Sequence, residues 1–202
     1  MTFLIGPQQV RYRVHTKRLC AQVPYFDAFI KNFDVSDEQQ PSPRTSLHLL
    51  DVEPTAFDLL MEFVDSNSTS IPPLHTWDPI SFFTLAEKCE LPILQNLIID
   101  ALIDFHINND ELPSAVFARQ ACDCTKQDSK ISTYALWGVC YALRNEATEE
   151  GWPKEQVTKL FQHPSATKDL VEFISVQGSS RPEDVGSSIF SRTSCCCSYT
   201  WH

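Results

Sequence analysis

Between Val14 and Leu19 the spacing of apolar residues changes from two to three and four, and that change dictates the class of fold. Before it, Val10, Tyr12 and Val14 alternate with Arg11 and Arg13 in "VRYRV". Such alternation belongs to a half-buried strand with its arginine face toward solvent. The preceding "TFLI" reads as a second short strand, and Gly6-Pro7 between them is a turn signal. After the change, Leu19, Val23, Phe26, Phe29, Ile30 and Phe33 recur at helical steps. Pro24 cannot sit in a helix interior, so the run divides into two short helices.

The remainder of the first half continues this mixture. "DVSDEQQPSPRTS" is polar and proline-bearing, a loop, and "SLHLL" is a short strand. In "DVEPTAFDLLMEFVDS", Asp51 suits an N-cap and Pro54 a first helical turn, with Phe57, Leu60, Met61 and Val64 as the buried stripe. "NSTSIPPLHTWDP" is a second loop. A helix begins near Asp78-Pro79, and "PILQNLIIDALIDFHI" forms another. The broad apolar face of the latter comprises Ile93, Leu94, Leu97, Ile98, Ala101, Leu102 and Phe105. Residues 1–106 therefore read as a helix-dominated α+β domain. Four further amphipathic segments make residues 107–176 a small helical extension. Residues 177–202 are Ser/Gly-rich and aperiodic, and are expected to be a disordered tail.

Charge and composition exclude several functions. The formal net charge of the 202 residues is −10. An acidic chain without a local Lys/Arg cluster repels phosphate backbones, so nucleic acid is not an expected partner. No apolar run approaches the roughly 20 residues that span a bilayer, and the start lacks the features of a signal peptide. A soluble intracellular protein, cytoplasmic or nuclear, is expected. Its eight cysteines are then thiols rather than a disulfide framework.

No motif carries catalytic, cofactor or metal chemistry. His15 and Cys20 are five apart, which on a helix directs them roughly 140° away from each other, and no Asn or Asp is placed to orient the imidazole. His15 is read as marking the strand-to-helix corner by hydrogen-bonding backbone, and Cys20 as a small core residue. Cys122-Asp123-Cys124 lacks the second ligand pair that a zinc site needs; it reads as ordinary thiols at a helix end. Asp110-Glu111 and Glu149-Glu150 read as solvated charges and caps. Five scattered glycines form no phosphate loop, and Trp77, Phe82 and Phe83 read as core. Cys195, Cys196 and Cys197 are clustered in the tail, where lipidation is the one route to a membrane.

Three segments in order carry a family resemblance: "VRYRVHTKRLCAQVPYFDAFI", "SLHLLDVEPTAFDLLMEFV" and "LAEKCELPILQNLIIDAL". Together they resemble the BTB/POZ domain followed by a helical extension of fungal type. Val14, His15, Leu19 and "VPYF" stand at the family's strand-to-helix turn, Asp51 to Val64 at its next helix, and Leu85 to Leu94 at its "LA-[DE]-K" segment, with Cys89 in an aromatic place. Many members carry more chain before the first strand, exchanged between protomers; Met1 stands almost at that strand, and strand-swapped dimerisation is not expected. The resemblance implies a non-catalytic interaction module that self-associates or recruits a substrate to a cullin-based ubiquitin ligase. Its alternative is a Skp-like or tetramerisation-type scaffold of the same superfamily; a small cysteine hydrolase using Cys20 or Cys122 is the reading from another class. Cullin-binding members carry a hydrophobic-x-Glu element after the second helix, where this chain has "FDVSDE". The partner-facing residues so implied are Phe33, Asp34, Val35, Asp37 and Glu38, with Asp58 and Glu62 on the following helix.

Overall fold

Residues Thr2–Ile5 form β1 and Val10–Arg13 form β2, paired antiparallel with Phe3 opposite Tyr12 and Ile5 opposite Val10. The turn between them needs left-handed backbone at Gly6 (φ 72°) and Gln9 (φ 54°). Gly6 has a second reason to lack a side chain, because a Cβ there would lie 3.1 Å from Cδ of Pro54. Strand β3, Ser46–Leu49, pairs parallel to β1 on its other side, giving the order β2-β1-β3. The computed structural model describes residues 1–35, 46–66, 71–126, 128–144, 154–162, 164, 166–168 and 170–171. The chain divides into two compact units between Leu102 and Ile103.

In the first unit, helices α1 (Thr16–Gln22) and α2 (Pro24–Val35) pack as a pair, divided at Val23–Pro24 as the missing proline N–H requires. They are followed by α3 (Pro54–Ser66), α4 (Pro79–Lys88) and α5 (Pro92–Asn109), whose last turns pass into the second unit. Each of these four longer helices opens on a proline, at the position where its fixed φ costs nothing. Asp78 caps α4, accepting from the N–H groups of Ile80 (3.2 Å) and Ser81 (3.1 Å).

The inward face of the sheet carries Phe3, Ile5, Leu47 and Leu49, all buried. Phe3 meets Phe26 of α2 edge-on at 5.8 Å and Phe57 of α3 at 5.9 Å. Phe57 also meets Tyr12 of β2 at 5.0 Å, so four rings join the hairpin to two helices. Burying each such ring stabilises the fold by about 1.5–3 kcal/mol. Leu60, Val64, Phe82, Phe83, Leu94 and Ile98 extend this core, and Trp77 joins it with its indole N–H donating to Pro72 O at 3.0 Å.

Several expectations are corrected. Val10 is 40% exposed, as the first residue of a strand with a neighbour on one side only among the described residues. Asp51 does not cap α3. Pro54 takes the first helical position, which makes Glu53 the preceding residue, and the Asp51 carboxylate instead meets Lys88 Nζ at 2.5 Å. Ile93 is 68% exposed and Met61 is only half-buried. The buried seam of α5 is Leu94, Ile98 and Leu102, one turn apart, and Ile93 lies a hundred-degree step off it. Helix α2 continues through Asp34 and Val35, where neither proline nor glycine stops it.

The second unit contains α6 (Ala115–Cys124), α7 (Lys130–Arg144) and α8 (Lys154–Phe161). The Ser114 hydroxyl caps α6 by accepting from Phe117 N–H at 3.1 Å. Ala115, Ala118 and Ala121 give α6 a buried stripe of small residues, and it packs against both α7 and α8. Gly138 of α7 lies so close to Pro113 that a Cβ would sit 2.8 Å from its ring. The buried His106 ring nitrogen Nδ1 meets the Tyr134 hydroxyl at 2.7 Å. Residues 177–202, with Cys195 to Cys197, lie outside the described residues.

Candidate functional site

Helix α3 is buried through Ala56, Phe57, Leu60 and Val64. Its opposite face therefore presents Asp58 and Glu62, four residues apart, and Asp65, three further on. All three are exposed, so α3 carries an acidic stripe. Asp65 was not singled out from sequence, although its spacing from Glu62 was the signal for it.

Both ends of the stripe are tied to other elements. At the start of α3 the Tyr12 hydroxyl donates to Pro54 O at 3.2 Å and lies beside the Asp58 carboxylate. Burial first, and the Asp58 carboxylate second, push the Tyr12 phenol up to about 12. At the end of α3, Arg18 of α1 donates to the backbone carbonyl of Asp65, and its Nη1 lies 3.4 Å from the Asp65 carboxylate. This ion pair is exposed and worth under about 1 kcal/mol, yet it aligns α1 with the stripe.

Of the expected partner-facing residues, the structure brings Asp58 and Glu62 together on one helix face. Phe33, Asp34 and Val35 belong to the last turn of α2, the latter two rather than to the expected loop, and the side chains of all three lie outside the described residues. Asp37 and Glu38 lie wholly outside them.

His15 holds the N-cap position of α1 but its side chain makes no capping bond; the corner is closed by its carbonyl, which accepts from Arg18 and Leu19 N–H at 3.0 and 3.1 Å. The ring itself is exposed. Cys20 is half-buried rather than core, since Leu19 takes the inward position of that turn. Burial and then Asp27 raise its thiol, with Lys31 offsetting part of the effect. A nucleophilic thiol requires the opposite shift. Cys89 is buried and pushed up to about 12 by that burial, packed as the small apolar residue that fills the family's aromatic place. Cys122 and Cys124 end α6. Among the described residues no group of three or more His, Cys, Asp or Glu could hold a metal ion, and no helix is long and apolar enough to cross a membrane.

No curated protein matches the chain. A family model described as BTB/POZ domain matches residues 1–106, from the first residue of the hairpin through the sheet and α1 to α4 and most of α5. That match spans more than half of the sequence, and the chain belongs to the BTB/POZ domain family, a family of protein-interaction modules.

Proposed function

We propose that this protein acts without chemistry of its own, by surface recognition, as a substrate adaptor of a cullin-based ubiquitin ligase. The cullin-facing surface in this reading is the acidic face of α3 together with the end of α2. The observation that supports it is the stripe of Asp58, Glu62 and Asp65 on a helix tied at one end to β2 and at the other to α1. Three carboxylates at helical spacing repel one another by a few tenths of a kcal/mol per pair. A partner that brings cations to this face relieves that repulsion, and a helix held at both ends loses little freedom on binding. The raised Cys20 thiol weighs against the cysteine-hydrolase reading.

The test is size-exclusion chromatography with light scattering of the full chain, alone and mixed with the N-terminal domain of a cullin scaffold. A one-to-one complex that weakens at least about tenfold with Glu62→Arg, a change of over about 1.4 kcal/mol, is the expected result. A complex indifferent to Glu62→Arg removes this face from the reading. A chain that ignores the cullin and doubles its own mass replaces the adaptor reading with self-association.

A further inference from the structure

The hydrogen-bonding parity of the hairpin settles which backbone groups of β2 are spoken for. Met1 and Val14 exchange both main-chain bonds, Val14 N–H to Met1 O at 3.1 Å and the Met1 amine to Val14 O at 3.4 Å. In an antiparallel pair bonded and non-bonded positions alternate. Phe3–Tyr12 and Ile5–Val10 are therefore bonded pairs, and Thr2–Arg13 and Leu4–Arg11 are not. The same parity turns Thr2, Leu4 and Gly6 toward β3, in agreement with the Gly6 N–H bond to Leu49 O at 2.9 Å. It turns the N–H and C=O groups of Arg11 and Arg13 outward, on the side of β2 where no strand lies among the described residues.

The outward side chains at these positions are charged alike. Arg11, Arg13 and His48 are exposed on the outer face of the sheet. The cross-strand rows there read Arg11–Leu4–His48 and Arg13–Thr2–Ser46, with no carboxylate in either. Neither arginine has an ion-pair partner among the described residues, in a chain of net charge −10.

We infer that the open edge of β2 is a docking site for an extended acidic segment of a partner protein, added as a fourth strand outside β2. The two N–H and two C=O groups of Arg11 and Arg13 supply the main-chain ladder. Carboxylates on the added strand, opposite Arg11 and Arg13, supply favourable cross-strand pairs. A second copy of this chain is the wrong occupant, because antiparallel pairing of β2 with itself sets arginine against arginine. The arginines thus do two things: they blunt indiscriminate edge pairing, as charged edges do, and they fix the sign of the strand that is accepted. The edge adjoins the acidic stripe through Tyr12, beside Asp58, but the proposal does not rest on the cullin reading.

The experiment uses the full chain and a capped peptide alternating Glu with Thr, read by amide hydrogen exchange. The expected result is slowing of the Arg11 and Arg13 amides by at least about tenfold, while Phe3 and Ile5, already bonded, are unchanged. The same peptide N-methylated on one edge should lose this effect while keeping its charge. Arg11→Glu/Arg13→Glu should lose the Glu peptide and accept its Lys counterpart, with Phe3 and Ile5 exchange reporting that the sheet remains intact. Equal binding of the methylated peptide overturns strand addition, since attraction to the basic face then suffices. No slowing with the Glu peptide, or concentration-dependent slowing at Arg11 and Arg13 without any peptide, also overturns the proposal.

Discussion

Phe57→Ala is expected to cost the first unit about 4–5 kcal/mol. Phe57 is fully buried, and its ring lies 5.0 Å from Tyr12, 5.9 Å from Phe3 and 6.3 Å from Phe26. Truncating a buried phenylalanine ordinarily costs about 3–5 kcal/mol, with the lower values at sites that collapse into the void. Collapse is hindered here, because the three facing rings are held on β1, β2 and α2. The lost ring pairs add about 0.5–1.5 kcal/mol each beyond the area term, which places the change at the upper end. Domains have about 5–15 kcal/mol in total, so this one substitution removes about a quarter or more. Phe57→Leu keeps most of the volume and should cost about 1–2 kcal/mol. Because the chain has two units, the assay is amide exchange at Phe3 and Ile5, which open only with the sheet. Phe57→Ala should accelerate them about a thousandfold at constant pH, and Phe57→Leu about tenfold. Acceleration below about tenfold in the alanine variant, or equal rates in the two variants, would refute the four-ring account of how α3 is held.

Three further outcomes follow from particular contacts. The neutral Tyr12 phenol is favoured in the fold, so its contribution is full below the ordinary value of 10 and is lost as pH rises toward about 12. Tyr12→Phe should abolish that alkaline decline, about 1 kcal/mol after solvent screening, in urea midpoints taken across the range. Gly138→Ala sets a helix-propensity gain of about 1 kcal/mol against a Cβ 2.8 Å from the rigid Pro113 ring. Overpacking costs about 1–3 kcal/mol, so the net sign is destabilising, and faster amide exchange in α7 should show it. Lys88 holds the Asp51 carboxyl below its ordinary value, chiefly by hydrogen bonding, so the pair stabilises above the ordinary carboxylate range and fails as pH falls through the lowered value. Asp51→Asn should cost under about 1 kcal/mol at neutral pH, and its Tm difference from the native chain should vanish in acid and at roughly 1 M salt.

What could be read from the residues, and what could not, divides along one line. Local stereochemistry was legible: the division at Pro24, the helix start near Asp78-Pro79 and the buried spacing of Phe57, Leu60 and Val64 all follow from neighbours in sequence. Assignments that depend on distant chain were not. The alternation in β2 identifies two faces but not that the strand lies at an edge, and so it misplaces Val10. Asp51 has the chemistry of a cap, but Lys88, far along the chain, is its partner. Asp65 extends the stripe of Asp58 and Glu62 at helical spacing, but its tie to Arg18 exists only once α1 lies beside α3. Ile93 counts toward an apolar face by periodicity, while burial selects only the seam of Leu94, Ile98 and Leu102.

The parallel pairing of β1 with β3 also imposes a timetable. The hairpin partner of Thr2 is Arg13, but its other neighbour is Ser46, and α1 and α2 must be made in between. At about 5–20 residues per second of synthesis, the far side of β1 waits on the order of seconds for its strand, whereas a hairpin closes in about 1–10 μs. Phe26 emerges during that wait and Phe57 only after it. The nascent chain thus holds Phe3, Tyr12 and Phe26 before their common centre exists, and a ribosome halted between Phe26 and Phe57 would display a half-made sheet with its interior open.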